Sequence, residues 1–156
     1  MEHTLLLIKP DAIQRGLIGE IISRIEKKGL KFIAFKMIQL DDQILSEHYS
    51  HLKTKPYFRR IVEYMKSTPV IACCIEGLDA VETLRRITGI TKARDAQPGT
   101  IRGDLGMSIQ NNLIHSSETK EAAAEEVKRF FKNQEIFNYN QHLLPFIYNE
   151  DERKNQ

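Results

Sequence analysis

From Pro98 onward the chain reads P-G-T-I-R-G-D and, after a short gap, N-N-L-I-H-S-S-E, ending at Glu118. These residue types can handle phosphate. Arg102 offers a planar fork of N–H donors suited to phosphate oxygens. Thr100 or Thr91 can add a hydroxyl, and Asp104 can hold a cation or orient Arg102. His115 closes a short apolar run just before an expected helix start, where backbone N–H groups without partners favour an anion. A neutral imidazole there can attack a phosphoryl group, provided its pKa is not raised well above working pH. A lone histidine is more often a satisfied core residue. Beside Arg102, Asn112 and a helix start, His115 is a candidate nucleophile. His48 and His51, three apart on an expected helix, have no carboxylate or thiol partner at a fitting spacing. They read as a solvated face rather than a metal pair. The chain has no G-x-x-x-x-G-K-[ST] loop, no G-x-G-x-x-G fingerprint and no H-E-x-x-H.

The elements that must position these residues follow from periodicity. Leu5 to Ile8 reads as a buried strand. Gly16 to Lys28 reads as a helix with Leu17, Ile18, Ile21, Ile22 and Ile25 on one face, stopped by Gly29. Leu30 to Leu40 is expected to be a strand with one wetter face. Two short helices are expected over Asp41–Lys53 and Tyr57–Lys66, with Pro56 between them. Val70 to Ile75 is a continuous apolar run, hence a central strand. Asp79 to Ile87 reads as a helix. Thr91 to Met107, with Pro98 and three glycines, reads as a long functional loop. Leu113 to His115 is a short strand. Ser117 is expected to cap a helix reaching Phe131, with Ala123, Val127, Phe130 and Phe131 inward. The order contains βαββαβ, which predicts an α+β, ferredoxin-like antiparallel sheet with helices on one face. A doubly wound sheet is the alternative for such alternation.

With 156 residues, the chain suits one domain over 1–156, of which 149–156 form a polar tail, frayed or draped over a neighbour. A net charge of +2 gives no argument for a nucleic-acid partner. The opening apolar run is too short, and lacks the basic flank, for a signal peptide, and no stretch has the length of a membrane span. Cys73 and Cys74 are adjacent, so on a strand they point to opposite faces and do not suit a mutual disulfide. Two reduced thiols and no membrane segment predict a cytoplasmic protein.

Several long stretches, in order, resemble nucleoside diphosphate kinases over nearly the whole chain. These are L-L-L-I-K-P-D-A-I-Q-R-G-L-I-G-E-I-I-S-R-I-E-K-K-G, H-Y-S-H-L-K-T-K-P-Y-F, S-T-P-V-I-A, P-G-T-I-R-G-D and N-L-I-H-S-S-E. The resemblance implies transfer of the γ-phosphate of a nucleoside triphosphate to a nucleoside diphosphate, by a ping-pong route through phosphorylated His115. It implies that Glu126 orients the imidazole, that Lys9 contacts the transferring phosphate and that Tyr49 lies close to His115. Arg85, Thr91 and Arg102 would bind phosphates, Asn112 the sugar, and Tyr57 with Ile109 would sandwich the base. Mg2+ would enter on the nucleotide's phosphates, with no direct protein ligand. It also implies a homo-oligomer, a hexamer being favoured and a tetramer the alternative. The loop from Thr91 to Gly103 would then be the threefold contact.

The sequence departs from the family's usual pattern at a few places. Ser116 follows the histidine where Gly is usual, and Ser117-Glu118 replaces Ser-Asp. Tyr57 stands for Phe, Gln110-Asn111 for Gly-Arg, and Lys92-Ala93 for Asn-Pro. The rival reading is a non-catalytic regulatory or scaffold member of the same fold. The intact set of Lys9, Tyr49, Arg85, Thr91, Arg102, Asn112, His115 and Glu126 favours the enzyme.

Overall fold

A computed structural model of the chain describes residues 1–154. Four strands form one antiparallel sheet in the order β2-β3-β1-β4: β1 (Glu2–Ile8), β2 (Lys31–Ile38), β3 (Val70–Gly77) and β4 (Ile114–Ser116). This is the ferredoxin-like arrangement expected from the βαββαβ order. β1 lies inside the sheet, pairing Leu5 with Cys74 on one side and Leu7 with His115 on the other.

Both inner strands read as unbroken apolar runs because both faces of the sheet are covered. On one face Leu6, Ile8, Cys73 and Ile75 pack against Ile21 and Ile25 of α2 (Ile18–Lys27) and Leu84 of α5 (Ala80–Thr88). On the other, Leu5, Leu7, Ala72 and Cys74 pack against three further helices. These are α3 (Asp42–His48), α4 (Phe58–Met65) and α7 (Lys120–Phe130), through Leu45, Met65, Val127 and Phe130. The expectation of helices on one face thus holds for α2 and α5 of the βαββαβ core. The second face is closed by the helices added around it. Cys73 and Cys74 are buried free thiols, one in each layer.

Local chemistry sets the boundaries. α2 ends at a Schellman motif: Gly29 takes φ +95°, its N–H reaches Glu26 O, and the Leu30 N–H reaches Ile25 O. A register shift between Phe32 and Ala34 puts a bulge in β2, so Ile33 and Ala34 are both buried. The expected loop from Thr91 to Met107 contains a 3-10 turn, Ala93–Asp95, and a short helix α6 (Ile101–Leu105). Thr100 caps α6 by accepting from the Gly103 N–H. α1 (Pro10–Gln14) follows β1, and α8 (Leu144–Ile147) and α9 (Glu150–Lys154) close the described chain. The polar tail is therefore helical over Glu150–Lys154, and positions 155 and 156 lie outside the described residues. No helix among the described residues is long and apolar enough to cross a membrane.

Candidate active site

A cleft of ≈ 610 Å³ opens where β4, α3, α4 and the segment before β4 meet, and every residue that the family resemblance implies for the site lines it. Lys9, Tyr49, Tyr57, Arg85, Thr91, Arg102, Ile109, Asn112, His115 and Glu126 come together there from sites scattered along the chain.

β4 carries His115 opposite Leu7 of β1, which fixes the ring at the cleft floor. Its Nε2 lies 3.0 and 3.1 Å from the two oxygens of Glu126, past the middle of α7. The Ser117 hydroxyl donates to the same carboxylate at 2.6 Å and accepts from the Leu5 N–H. Burial pushes the Glu126 carboxyl up. The hydrogen bond and charge of His115, then the Ser117 hydroxyl, outweigh it and hold the group at about 2. An ionised carboxylate at Nε2 makes that nitrogen the N–H and leaves a lone pair on Nδ1.

Lys9 follows β1 and donates to Asn112 Oδ1 at 2.7 Å. Burial, then the nearby Arg102 charge, pulls its pKa down to about 7 against the opposing pull of Asp11. The Asn112 amide donates to Thr91 O and Ile109 O, so this one buried side chain ties Lys9 to two loops. Asp11 accepts from Tyr64 Oη and from the Leu113 N–H. Leu113 takes φ 74°, a conformation non-glycine residues rarely adopt, and it directly precedes β4. Asp11 and the Lys9 N–H, which reaches Leu113 O, grip both ends of that unusual residue.

Arg102 differs from its expected free phosphate fork. It is buried, and it donates to the carbonyls of Asn112, Gly89 and Ile114 at 3.2, 2.5 and 2.8 Å. Three of its five N–H groups are thereby used, and two remain for an anion. Burial, followed by the Arg85 charge, lowers its pKa to about 10. Asp104 does not orient Arg102. It accepts from Arg24 at 2.5 Å and from the Gly99 N–H, on the outer side of the loop. Thr100 is occupied as the α6 cap, which leaves Thr91 as the hydroxyl of the pair that lines the cleft. The cap of α7 is Thr119, which accepts from the Ala122 N–H, rather than Ser117. The helix start therefore lies further from His115 than expected.

His48 was expected on a solvated face and is instead buried in the site. Its ring stands edge-on to His115, Tyr49 and Phe130, with centroids 4.5, 4.7 and 5.2 Å away. Burial and the His115 and Lys9 charges hold its pKa down at about 2, so it is neutral. The spacing Leu45, His48, Tyr49, Leu52 carried the signal, because it is an inward stripe at helical period. His51, by contrast, is exposed as expected. Ser116, where the family usually has Gly, is buried with its hydroxyl 3.4 Å from that of Thr88.

The family model described as "Nucleoside diphosphate kinase" matches residues 2–136. A nucleoside diphosphate kinase of Parabacteroides distasonis is 54% identical over 97% of this chain and 99% of its own. One from Pyrococcus horikoshii is 49% identical over 88% of this chain and 90% of its own. The solved structure of a halophilic nucleoside diphosphate kinase from Halobacterium salinarum in complex with CDP superposes with a TM-score of 0.92 at 41% identity. It covers 94% of this chain and 98% of that one. The chain belongs to the nucleoside diphosphate kinase family, enzymes that transfer a phosphoryl group between nucleotides.

Proposed function

We propose that the transfer runs by a ping-pong route through Nδ1 of His115. The carrying observation is the pair of contacts from Nε2 to Glu126, which leaves Nδ1 as the lone-pair nitrogen. Nδ1 forms a bond to the γ-phosphorus of a nucleoside triphosphate as the bond to the departing diphosphate oxygen breaks. The ring becomes cationic, and the Glu126 carboxylate offsets that charge. The second half is the reverse, with a nucleoside diphosphate as acceptor.

Lys9 and the two unengaged N–H groups of Arg102 neutralise the transferring phosphate, and Arg85 and Thr91 bind its neighbours. Asn112 Oδ1 retains one lone pair for a sugar hydroxyl. Tyr57 and Ile109, both exposed at the mouth, sandwich the base, and Tyr49 backs the nucleophile. Of the two carboxylates lining the cleft, Glu126 is already engaged, while Lys9, Arg60, Arg85 and Arg102 line it as cations. That lining suits phosphate and offers no oxygen cage, in keeping with Mg2+ that arrives on the nucleotide and offsets phosphate charge there.

Incubation with γ-labelled ATP should leave an alkali-stable, acid-labile label on the protein. Wild-type enzyme that transfers phosphate without any such label would overturn the route. A regulatory or scaffold role has no use for so closely held an imidazole, and the same experiment separates it.

We read residues 1–156 as one domain that assembles as a homo-oligomer, a hexamer in preference to a tetramer. The second sheet face is covered by the chain's own helices, so the case rests elsewhere. Phe35 and Met37 of the edge strand β2 are 50% and 60% exposed, an apolar edge that a second copy would cover. Ala93 opens the 3-10 turn of the loop proposed as the threefold contact, where a proline is tolerated. Light scattering should give a species larger than a monomer, and Ala93→Pro should raise its resistance to urea. Two free thiols and the nucleotide substrates support a cytoplasmic setting.

A further inference from the structure

We propose that His48, His115 and Glu126 form a zinc site whose occupation silences the nucleophile. One donor atom from each of the three residues lies within 4.8 Å of the others. Glu126 Oε1 is the shared corner, 3.0 Å from His115 Nε2 and 3.7 Å from His48 Nδ1. The other oxygen, Oε2, is engaged by Ser117. The His48 side chain is 1% exposed, and neither of its ring nitrogens has a hydrogen-bond partner. Buried imidazole nitrogens ordinarily find partners. Here Nδ1 faces a carboxylate beyond hydrogen-bond reach, at the separation an interposed ion would occupy.

Two imidazoles and one carboxylate with an open fourth position form a familiar zinc donor set. Ligand atoms about 2.0–2.2 Å from a tetrahedral ion lie about 3.3 Å apart, so the three residues close on zinc by shifts of about 1.5 Å or less. All three line the cleft, which gives the ion a path from solvent. Mg2+ does not compete well for two nitrogens, because it is a hard cation that prefers oxygen.

The chemical consequence follows from proton balance. Zinc takes the Nε2 lone pair, so the proton that Nε2 carried, hydrogen-bonded to Glu126, moves through water to Nδ1. The neutral ring keeps one proton, but the nitrogen facing the phosphate becomes N–H and cannot attack. This silencing rests on Nδ1 being the nucleophile. Zinc binding itself does not.

The test is calorimetric titration of nucleotide-free enzyme with zinc chloride in excess magnesium. One zinc per chain is expected, and His48→Phe, which keeps the edge-on ring and removes the nitrogens, should weaken it more than about 100-fold. Equal affinity in wild type and His48→Phe overturns the site. Should that variant fail to fold, zinc-edge anomalous diffraction of the wild type decides. Density bonded to His48 and His115 supports the site, and density elsewhere, for example at the surface pair His3 and Glu76, overturns it. Nitrogen-15 NMR reads the second half: zinc should convert His115 Nδ1 to a protonated nitrogen and abolish labelling by ATP. Zinc bound at this site with Nδ1 still unprotonated overturns the silencing. Failure of the phosphohistidine route would show without zinc, as wild-type enzyme that takes no label.

Discussion

On the cleft floor Lys9, Arg102, Asn112 and Glu126 each hold a bonded partner at 2.5–3.2 Å, Glu126 through Ser117 buried behind it. At the mouth Tyr57 and Ile109 stand 37% and 61% exposed. The difference divides the labour. On the proposed route the floor meets charge that develops at one nitrogen and a few oxygens, and its donors are already held in place. On the proposed reading the mouth meets only the flat face of a base. A stacked face with few fixed donors accepts many bases.

Mutations should reveal that division as a steep gradient of effect from floor to mouth. His115→Gln should abolish both labelling and transfer while the circular-dichroism spectrum is kept, because an amide cannot accept the phosphoryl group. Label on another residue of that variant would break the floor's claim to the chemistry.

Next come the phosphate donors. Lys9→Ala and Arg102→Ala should each lower kcat/KM by roughly 10²-fold. They should differ in urea denaturation. Arg102→Ala takes a donor from three carbonyls, of which Asn112 O keeps the Ile114 N–H, and each buried carbonyl left without a partner costs ~1–3 kcal/mol. An Arg102→Ala protein as stable as wild type would mean that the arginine is not the loop's clasp.

A subtler effect is the pH profile. Lys9 is held at about 7 in the free enzyme, so its charged, phosphate-binding form is lost as pH rises through that value. Accordingly kcat/KM should fall above about pH 7, and Lys9→Arg, which stays charged, should lack that fall. The stability effect has the opposite sense. Above about pH 7 the unfolded lysine still binds a proton that the folded one has released, so this group's contribution to stability rises with pH until the unfolded pKa. An unchanged alkaline limb in Lys9→Arg would assign it to another group.

The mildest changes belong to the mouth. Tyr57→Phe and Ile109→Val should alter KM by a few-fold, alike for purine and pyrimidine nucleotides, with kcat unmoved. A selective loss of one base would mean that edge contacts, and not stacking alone, operate there.

Much of this layout is legible in the amino-acid sequence. The runs at Leu5 and Val70 read as buried strands, and the stripe of Ile21 and Ile25 reads as an inner helix face. The phosphate chemistry of Arg102 and His115 is readable from residue type. What residue type does not reveal is which partner a donor finds first. The Arg102 guanidinium meets three carbonyls that lie 10 to 13 residues away along the chain, and periodicity says nothing about that meeting. Asp104 turns to Arg24, 80 residues distant, for the same reason. His48 was hidden because a polar name on a short helix suggests water, although its spacing from Leu45 points inward.

The inner position of β1 also sets a timetable for biosynthesis. The first strand to leave the ribosome needs two partners, and the second of them, β4, is the last strand made among the described residues. Lys9 must wait for Asn112, 103 residues later, and His115 for Glu126 on α7. Pairings so distant in sequence form slowly and late. On the proposed route a ribosome-bound chain therefore holds no complete phosphotransfer site until α7 has emerged, and a product truncated before that helix should be born inactive.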